Sequence, residues 1–366
     1  MNVENTKKGG GRKVMLIVLL AVAAIIAGLF LFRAIYREVL RSKHAIHSPA
    51  GIDFMETVQI GGIRQVLYFR GQDVDNPVIL YLHGGPASSE MQLLHGFQYD
   101  WEHDFTVVHW EQRQAGKTFL ANDPDEIEGA TFERLLEDAW EVTQYIQNKL
   151  GKDKIIVLGH SWGSILGTAL VQTYPQAFSA YIGVGQIIDG IENERIAYDL
   201  LLQKAREAGN KKDIEKIEVL GAYLTDPFDA SIPKRLQQVR QHMDKYGIGA
   251  GAMKAAPLAL TSPYYSLREV AVMFGNVWDH QDELFRYWLT EYNAGNFGAE
   301  YSMPVFYVMG ENDFVASGEL AASFFERIQA PGKEIFFIPE AGHMTMTDNP
   351  KEFTRVLLNE IAPRCK

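Results

Sequence analysis

The sequence predicts an α/β protein: a mostly parallel sheet with helices on both faces, a helical cap inserted late in the sheet, and one N-terminal transmembrane helix. Three observations carry this. From Ile52 onward, short apolar runs ending in glycine alternate with stretches of helical periodicity, the pattern of strands joined by crossover helices. Residues 187–300 interrupt that alternation with amphipathic stretches and no strand pattern. Residues 14–32 contain no charge.

That uncharged run, "VMLIVLLAVAAIIAGLFLF", follows a basic tail (1–13) and precedes a basic segment (33–52). As a helix it is roughly 28 Å long, close to the thickness of a bilayer's hydrocarbon core. A secretory signal has the same order of basic and apolar parts. The run is long for one, however, and it ends in Leu31, Phe32 and Arg33 rather than in a small-x-small pair. A buried core helix would carry a polar stripe. The expectation is therefore a membrane anchor in a lipid bilayer, with 33–52 a stalk against anionic headgroups. Four basic residues flank each side of the run, so flanking charge is nearly balanced. Long domains translocate largely regardless of it, and the body is placed outside the cytoplasm.

The 366 residues carry a net charge of −11. Eight basic residues before position 44 stand against Glu4 and Glu38, so the rest is more acidic still. Such a body is a poor partner for nucleic acid. With 47% hydrophobic and 22% charged residues it is globular rather than disordered. Cys365 is the single cysteine, which excludes an internal disulfide and a cysteine metal cluster. The ten histidines show no H-E-x-x-H or related spacing, and no metal or cofactor is expected.

Along the body, "METVQI" and "IRQVLYFRG" form a hairpin about Gly61-Gly62. "PVILYLHGG" and "FTVVHW" read as buried strands. A helix begins at Thr131 as its cap and stops at Gly151. "KIIVLG" is a strand, "WGSILGTALVQTY" a helix stopped by Pro175, and "AYIGVG" a strand. The interruption includes "NERIAYDLLLQKAREAGN", "SIPKRLQQVRQHMDKYG" and "WDHQDELFRYWLTEY". "PVFYVMG", a helix near Leu320, "EIFFIPE" and a helix from about Pro350 complete the chain. The expected division is a catalytic domain of 53–186 and 301–366 with a cap of 187–300 over the C-terminal sheet edge, where open α/β folds bind ligands.

Gly159-His160-Ser161-Trp162-Gly163 is a G-x-S-x-G between a strand and a helix, the setting of a nucleophile elbow. A serine hydroxyl needs a histidine to take its proton. Asp313 stands just past the strand that follows the cap, and His343 just past the last strand. Serine, acid, histidine is the chain order expected of such a fold. Glu311 and Asp189 are the fallback acids. Trp162 N–H and an N–H of "HGGP" (83–86), with Gly84 and Gly85 letting backbone approach, are the candidate oxyanion donors.

"LHGGPA", "WEQRQAGKTF", "GHSWGS", "GENDF" and "AGHM" together resemble the α/β-hydrolases of the prolyl aminopeptidase (proline iminopeptidase) group, over residues 55–366. The resemblance implies an α/β-hydrolase fold and a Ser-His-Asp hydrolase whose cap reads a free amino end. Ser161 is then the nucleophile, His343 the base and Asp313 its orienter, with Gly85 and Trp162 the oxyanion hole. The group's HGGPG here ends in Ala87, and its DQRG is Glu111-Gln112-Arg113-Gln114, to which a structural part is assigned. The group's tryptophan-rich, glutamate-bearing cap motif is not recognisable. Glu192, Glu194 and Glu291 are the cap carboxylates available to an ammonium, with helix-surface solvation as the other reading.

"GKT" (116–118) lacks the upstream glycine of a phosphate loop, and "GIGAGA" (247–252) follows a helical stretch rather than a strand. Three readings stand. The first is a membrane-anchored serine aminopeptidase acting on short peptides. The second is a carboxylesterase or lipase-like hydrolase of small esters with the same triad. The third is a non-catalytic ligand-binding protein on a hydrolase fold.

Overall fold

A computed structural model describes residues 7–127, 130–224, 231–274 and 281–365. The first six residues of the basic tail, and 278–280 of the third cap stretch, lie outside them.

Helix α1 (Lys7–Lys43) is one continuous element. Its apolar side chains from Val14 to Phe32 are exposed, and it is long and apolar enough to cross a membrane. The segment read as a stalk continues the same helix to Lys43. Its arginines are not free for headgroups. Arg33 donates to the carbonyls of Leu260 and Tyr265, both at 2.7 Å. Arg37 and Arg41 donate to the Pro263 carbonyl at 3.0 and 2.6 Å. Spacing of four residues puts all three guanidiniums on one helical face.

Strands β1 (Ile52–Ile60) and β2 (Ile63–Gly71) pair antiparallel around Gly61 and Gly62, both at positive φ. β3 (Val78–Leu82) and β4 (Thr106–Glu111) follow, then the short helices α2 (Gly116–Ala121) and α3 (Pro124–Ile127). Helix α4 (Phe132–Leu150) starts where Thr131 accepts from the Arg134 N–H and ends at Gly151 in the left-handed region. Phe132, Leu135, Ala139, Val142 and Ile146 form its buried stripe. β5 (Ile155–His160), α5 (Trp162–Thr173) and β6 (Phe178–Val184) complete the first half.

Among the described residues, six α-helices stand between β6 and β7: α6 (Gly190–Glu207), α7 (Lys211–Leu220), α8 (Ile232–Lys245), α9 (Ala252–Thr261), α10 (Leu267–Phe274) and α11 (Asp282–Thr290). Their root is closed by a bridge between Asp189 and Asn293, reinforced by Asn293 Nδ2 donating to Asp189 at 2.7 Å. β7 (Val305–Gly310), α12 (Gly318–Arg327), β8 (Lys333–Ile338), α13 (Thr345–Asp348) and α14 (Pro350–Arg355) end the chain, α14 running on as a π-turn over Val356–Ile361.

The eight strands are ordered β1-β2-β4-β3-β5-β6-β7-β8. β2 pairs antiparallel with β1 and β4, and every other pair is parallel. The sheet is thus mostly parallel, as expected. β3, β4, β5 and β7 are buried along their whole length. This suits strands covered by helices on both faces. The C-terminal ends of β3, β5, β7 and β8 share one edge, and each leads into a loop that bears polar side chains.

Candidate active site

Ser161 sits at the turn from β5 into α5 with φ 53° and ψ −119°, a conformation that a non-glycine residue holds only when its surroundings fix it. Its N–H donates to the Val184 carbonyl at 2.9 Å, and its carbonyl accepts from Ser164 N–H at 2.8 Å. The flanking glycines have a steric cause. A Cβ on Gly159 would lie 2.3 Å from the Gly163 carbonyl oxygen, and one on Gly163 would lie 2.0 Å from that of Leu82. Any side chain at either place would push the turn off the sheet.

His343, beyond β8, brings Nε2 to 2.8 Å from Ser161 Oγ. Its Nδ1 faces Asp313 Oδ2 at 2.9 Å and Oδ1 at 3.1 Å. Asp313, beyond β7, is fixed in turn by N–H groups of Val315 and Ala316, each 2.9 Å from Oδ1. All three residues are buried. With Nδ1–H donated to the carboxylate, Nε2 is left to accept the serine proton. The fallback acids are engaged elsewhere or turned away. Asp189 caps α6 through the Glu192 N–H, and Glu311 is exposed.

The loop after β3 is pinned from β4. Gln112 N–H donates to His83 Nε2 at 3.1 Å, and its side chain donates to the His83 carbonyl at 3.0 Å. Burial pushes His83 down to about 4, so it is a neutral ring whose Nδ1 meets the Gly84 carbonyl at 2.8 Å. Arg113 is held by Asp138 at 2.9 Å and donates to the Gly61 carbonyl at 2.8 Å. "EQRQ" thus ties the glycine loop and the β1–β2 turn to the body.

A cavity of about 390 Å³ opens over Ser161 and His343. Gly84 and Gly85 form part of its floor, and Trp162, at the first turn of α5, is buried behind it. Ala255, Ala259 and Leu93 give an apolar wall; Gln237, Arg240, Gln241 and Asp244, spaced on one face of α8, give a polar one.

A family model described as the alpha/beta hydrolase fold matches residues 77–215, which contain the glycine loop, the Ser161 turn and the start of the cap. The chain has the α/β-hydrolase fold. It is similar to the probable aminopeptidase YbaC of Bacillus subtilis, at 26% identity over 85% of this chain and 97% of that one. The proline iminopeptidase of Mycobacterium smegmatis superposes with a TM-score of 0.62, at 20% identity over 85% and 98% of the two chains. A bacterial membrane phospholipase A superposes with a TM-score of 0.56 at 14% identity, covering 94% of this chain and 96% of its own. That leaves about 22 residues of this hydrolase outside the superposition, so part of α1 is included.

The cap carboxylates do not converge on the cavity of this hydrolase. Glu192 is half-buried and pairs with Arg195 at 3.4 Å. Glu194 is fully buried and holds Arg240, the residue that does line the cavity. Glu291 pairs with Arg286 at 3.2 Å on the surface. The carboxylates on the cavity wall are Glu90 and Asp244. Sequence reasoning singled out neither. Glu90 lies in a loop with no periodicity, and Asp244 reads as one polar position among many on an amphipathic helix.

Proposed function

We propose that this hydrolase is a membrane-anchored serine enzyme working through an acyl-enzyme, an aminopeptidase of the proline iminopeptidase type acting on short peptides. The observation that carries the reading is the continuous hydrogen-bonded line from Ser161 Oγ through His343 to Asp313. Residues 53–186 and 301–366 form its catalytic body, 187–300 its cap, and 14–32 its anchor.

In this reading, His343 Nε2 takes the Ser161 proton as Oγ bonds to the substrate carbonyl carbon. The carbonyl π pair moves onto oxygen, where the N–H groups of Trp162 and Gly85 receive the charge. Collapse breaks the C–N bond, and His343 returns the proton to the leaving amine. Water then attacks the acyl-enzyme by the same proton path and frees the acid and Ser161. The peptide assignment is supported by the whole-length similarity to a probable aminopeptidase. The polar wall of α8 also suits a substrate that carries charge.

The esterase or lipase-like reading has one observation in its favour: the α9 wall of the cavity is apolar, and α9 is the helix whose last turn α1 grips. A panel separates the two. The detergent-solubilised full-length chain is given alanyl and prolyl anilides, their N-acetylated analogues and p-nitrophenyl esters. The aminopeptidase reading expects the free-amino anilides to be cleaved at least about tenfold faster than the acetylated ones, equivalent to roughly 1.4 kcal/mol. Equal rates, or turnover of esters alone, assign the site to the esterase class.

A further inference from the structure

Beside the triad lies a second buried pair that the acyl-enzyme steps leave unused. His160, the last residue of β5, has Nδ1 2.5 Å from Glu90 Oε1 and Nε2 2.8 Å from the main-chain carbonyl oxygen of His343. Glu90 Oε2 accepts from the Tyr81 hydroxyl. His160 is 1% exposed and Glu90 6%.

The proton count follows from the partners. A carboxylate and a carbonyl only accept, so both ring nitrogens of His160 must donate, and the ring is an imidazolium. Electrostatics agrees. Burial alone would favour neutral His160, but the Glu90 charge and hydrogen bond outweigh it and raise its pKa. Burial alone would raise Glu90, and the His160 charge and hydrogen bond reverse that. The other groups facing the pair do not supply a proton. Burial lowers His83 to about 4 and His109 to about 3, and pushes the Tyr81 hydroxyl far up. Asp313 acts on His160 from the far side of His343, in the direction that favours its charge.

The pair also touches the oxyanion loop. A Cβ on Gly84 would lie 3.0 Å from Glu90 Oε1, 3.4 Å from Ser161 Cβ and 3.5 Å from His160 Nδ1. The loop therefore packs closely against both the pair and the elbow. Three separate segments, after β3, at the end of β5 and after β8, therefore meet on one charge-assisted hydrogen-bond chain.

We infer that Glu90 and His160 are positioning residues for this hydrolase: His160 holds the His343 main chain so that its imidazole stays on Ser161 Oγ, and Glu90 fixes the His160 ring for that task. The inference rests on the triad reading. Displacing a catalytic base by about 1 Å can lower a rate on the order of 10²-fold. The His160 ring centre is also 5.0 Å from that of His343, with Glu90 on its opposite side.

The test uses the full-length chain in detergent, with p-nitrophenyl acetate and a fluorophosphonate probe. His160→Phe removes the donor and the charge. It is expected to lower kcat and the rate of fluorophosphonate labelling by about 10- to 100-fold with KM little changed. His160→Gln, whose amide N–H reaches toward the same carbonyl, is expected to recover much of that loss. Glu90→Gln is expected to lower kcat and the labelling rate by a smaller factor, about 3- to 10-fold, with KM little changed. A wild-type rate in His160→Phe overturns the inference, as does a loss that His160→Gln does not rescue. If His160→Phe does not fold, a wild-type rate in Glu90→Gln overturns it alone. A Ser161→Ala chain that still labels or turns over removes the triad reading instead, which is a separate outcome.

Discussion

Ser161 Oγ and His343 Nε2 are separated by 182 positions in the chain and by 2.8 Å in the fold. Ser161 follows β5 and His343 follows β8, with β6 and β7 between those strands, and Asp313 stands between them in sequence and behind His343 in space. Acting as one unit, they are expected to fail as one. Ser161→Ala should lose on the order of 10⁴-fold or more in kcat. His343→Ala should lose nearly as much, and the double variant little more. Asp313→Asn should cost less than Ser161→Ala. Steady-state kinetics on p-nitrophenyl acetate, with circular dichroism to confirm folding, decides this. Retained turnover in Ser161→Ala rules the elbow out as the nucleophile.

The two neighbouring cap glutamates should behave differently. Glu192 is solvated beside Arg195, and Glu192→Gln should leave kcat and KM within about twofold, as surface changes usually do. Glu194 is buried against Arg240 on the cavity wall. Glu194→Gln should raise KM several-fold on free peptides by loosening Arg240, with a smaller effect on p-nitrophenyl acetate. A large effect of Glu192→Gln on amino-group preference would return that residue to the substrate.

The parts of this arrangement that sequence made legible share a property: each is written within a few residues. The Gly61-Gly62 turn, the Thr131 cap, and the glycines around Ser161 are local steric demands, so they can be read in place. Asp313 and His343 were found because each follows an apolar run that had to be a strand, and parallel strands deliver their loops to one edge. Glu90 pairs with a residue 70 positions away, Glu194 with one 46 away, and Arg33 with a carbonyl 227 away. No local pattern marks such partners. A buried charge is solvated by whatever the fold brings to it, and the cap's packing was not specified by periodicity alone.

The arginine of "EQRQ" gives a stability prediction. Arg113 and Asp138 are both buried, and Arg134 also reaches that carboxylate at 2.8 Å. Asp138→Ala leaves two guanidiniums around an empty place and should destabilise folding by about 3 kcal/mol or more. Asp138→Asn, which keeps an acceptor, should cost less. Urea denaturation followed by tryptophan fluorescence measures both. Equal stability of Asp138→Ala and the parent chain would show the pair to be dispensable.

The anchor reading predicts that the protein stays with membranes through a carbonate wash and that its N-terminal peptide, including Lys13, is recovered by mass spectrometry. A mature N-terminus beyond Phe32 in native material would instead mark residues 14–32 as a cleaved signal.

The three arginines on α1 change where the body begins. Hydrogen bonds to Leu260, Pro263 and Tyr265 make residues 33–43 part of the cap's underside, and His44 joins the segment to the body by stacking on Tyr99 at 3.7 Å. A chain cut at residue 33 keeps those bonds, whereas one cut at Ile52 strips them from the last turn of α9, a wall of the cavity. The second chain should be the less stable and the more prone to proteolysis between 250 and 266. For a helix inserted in a bilayer, the same contacts act as a strut rather than a tether. They fix the rotation of the helix about its axis, so the angle at which the cavity meets the membrane is a property of the fold and not of a flexible linker.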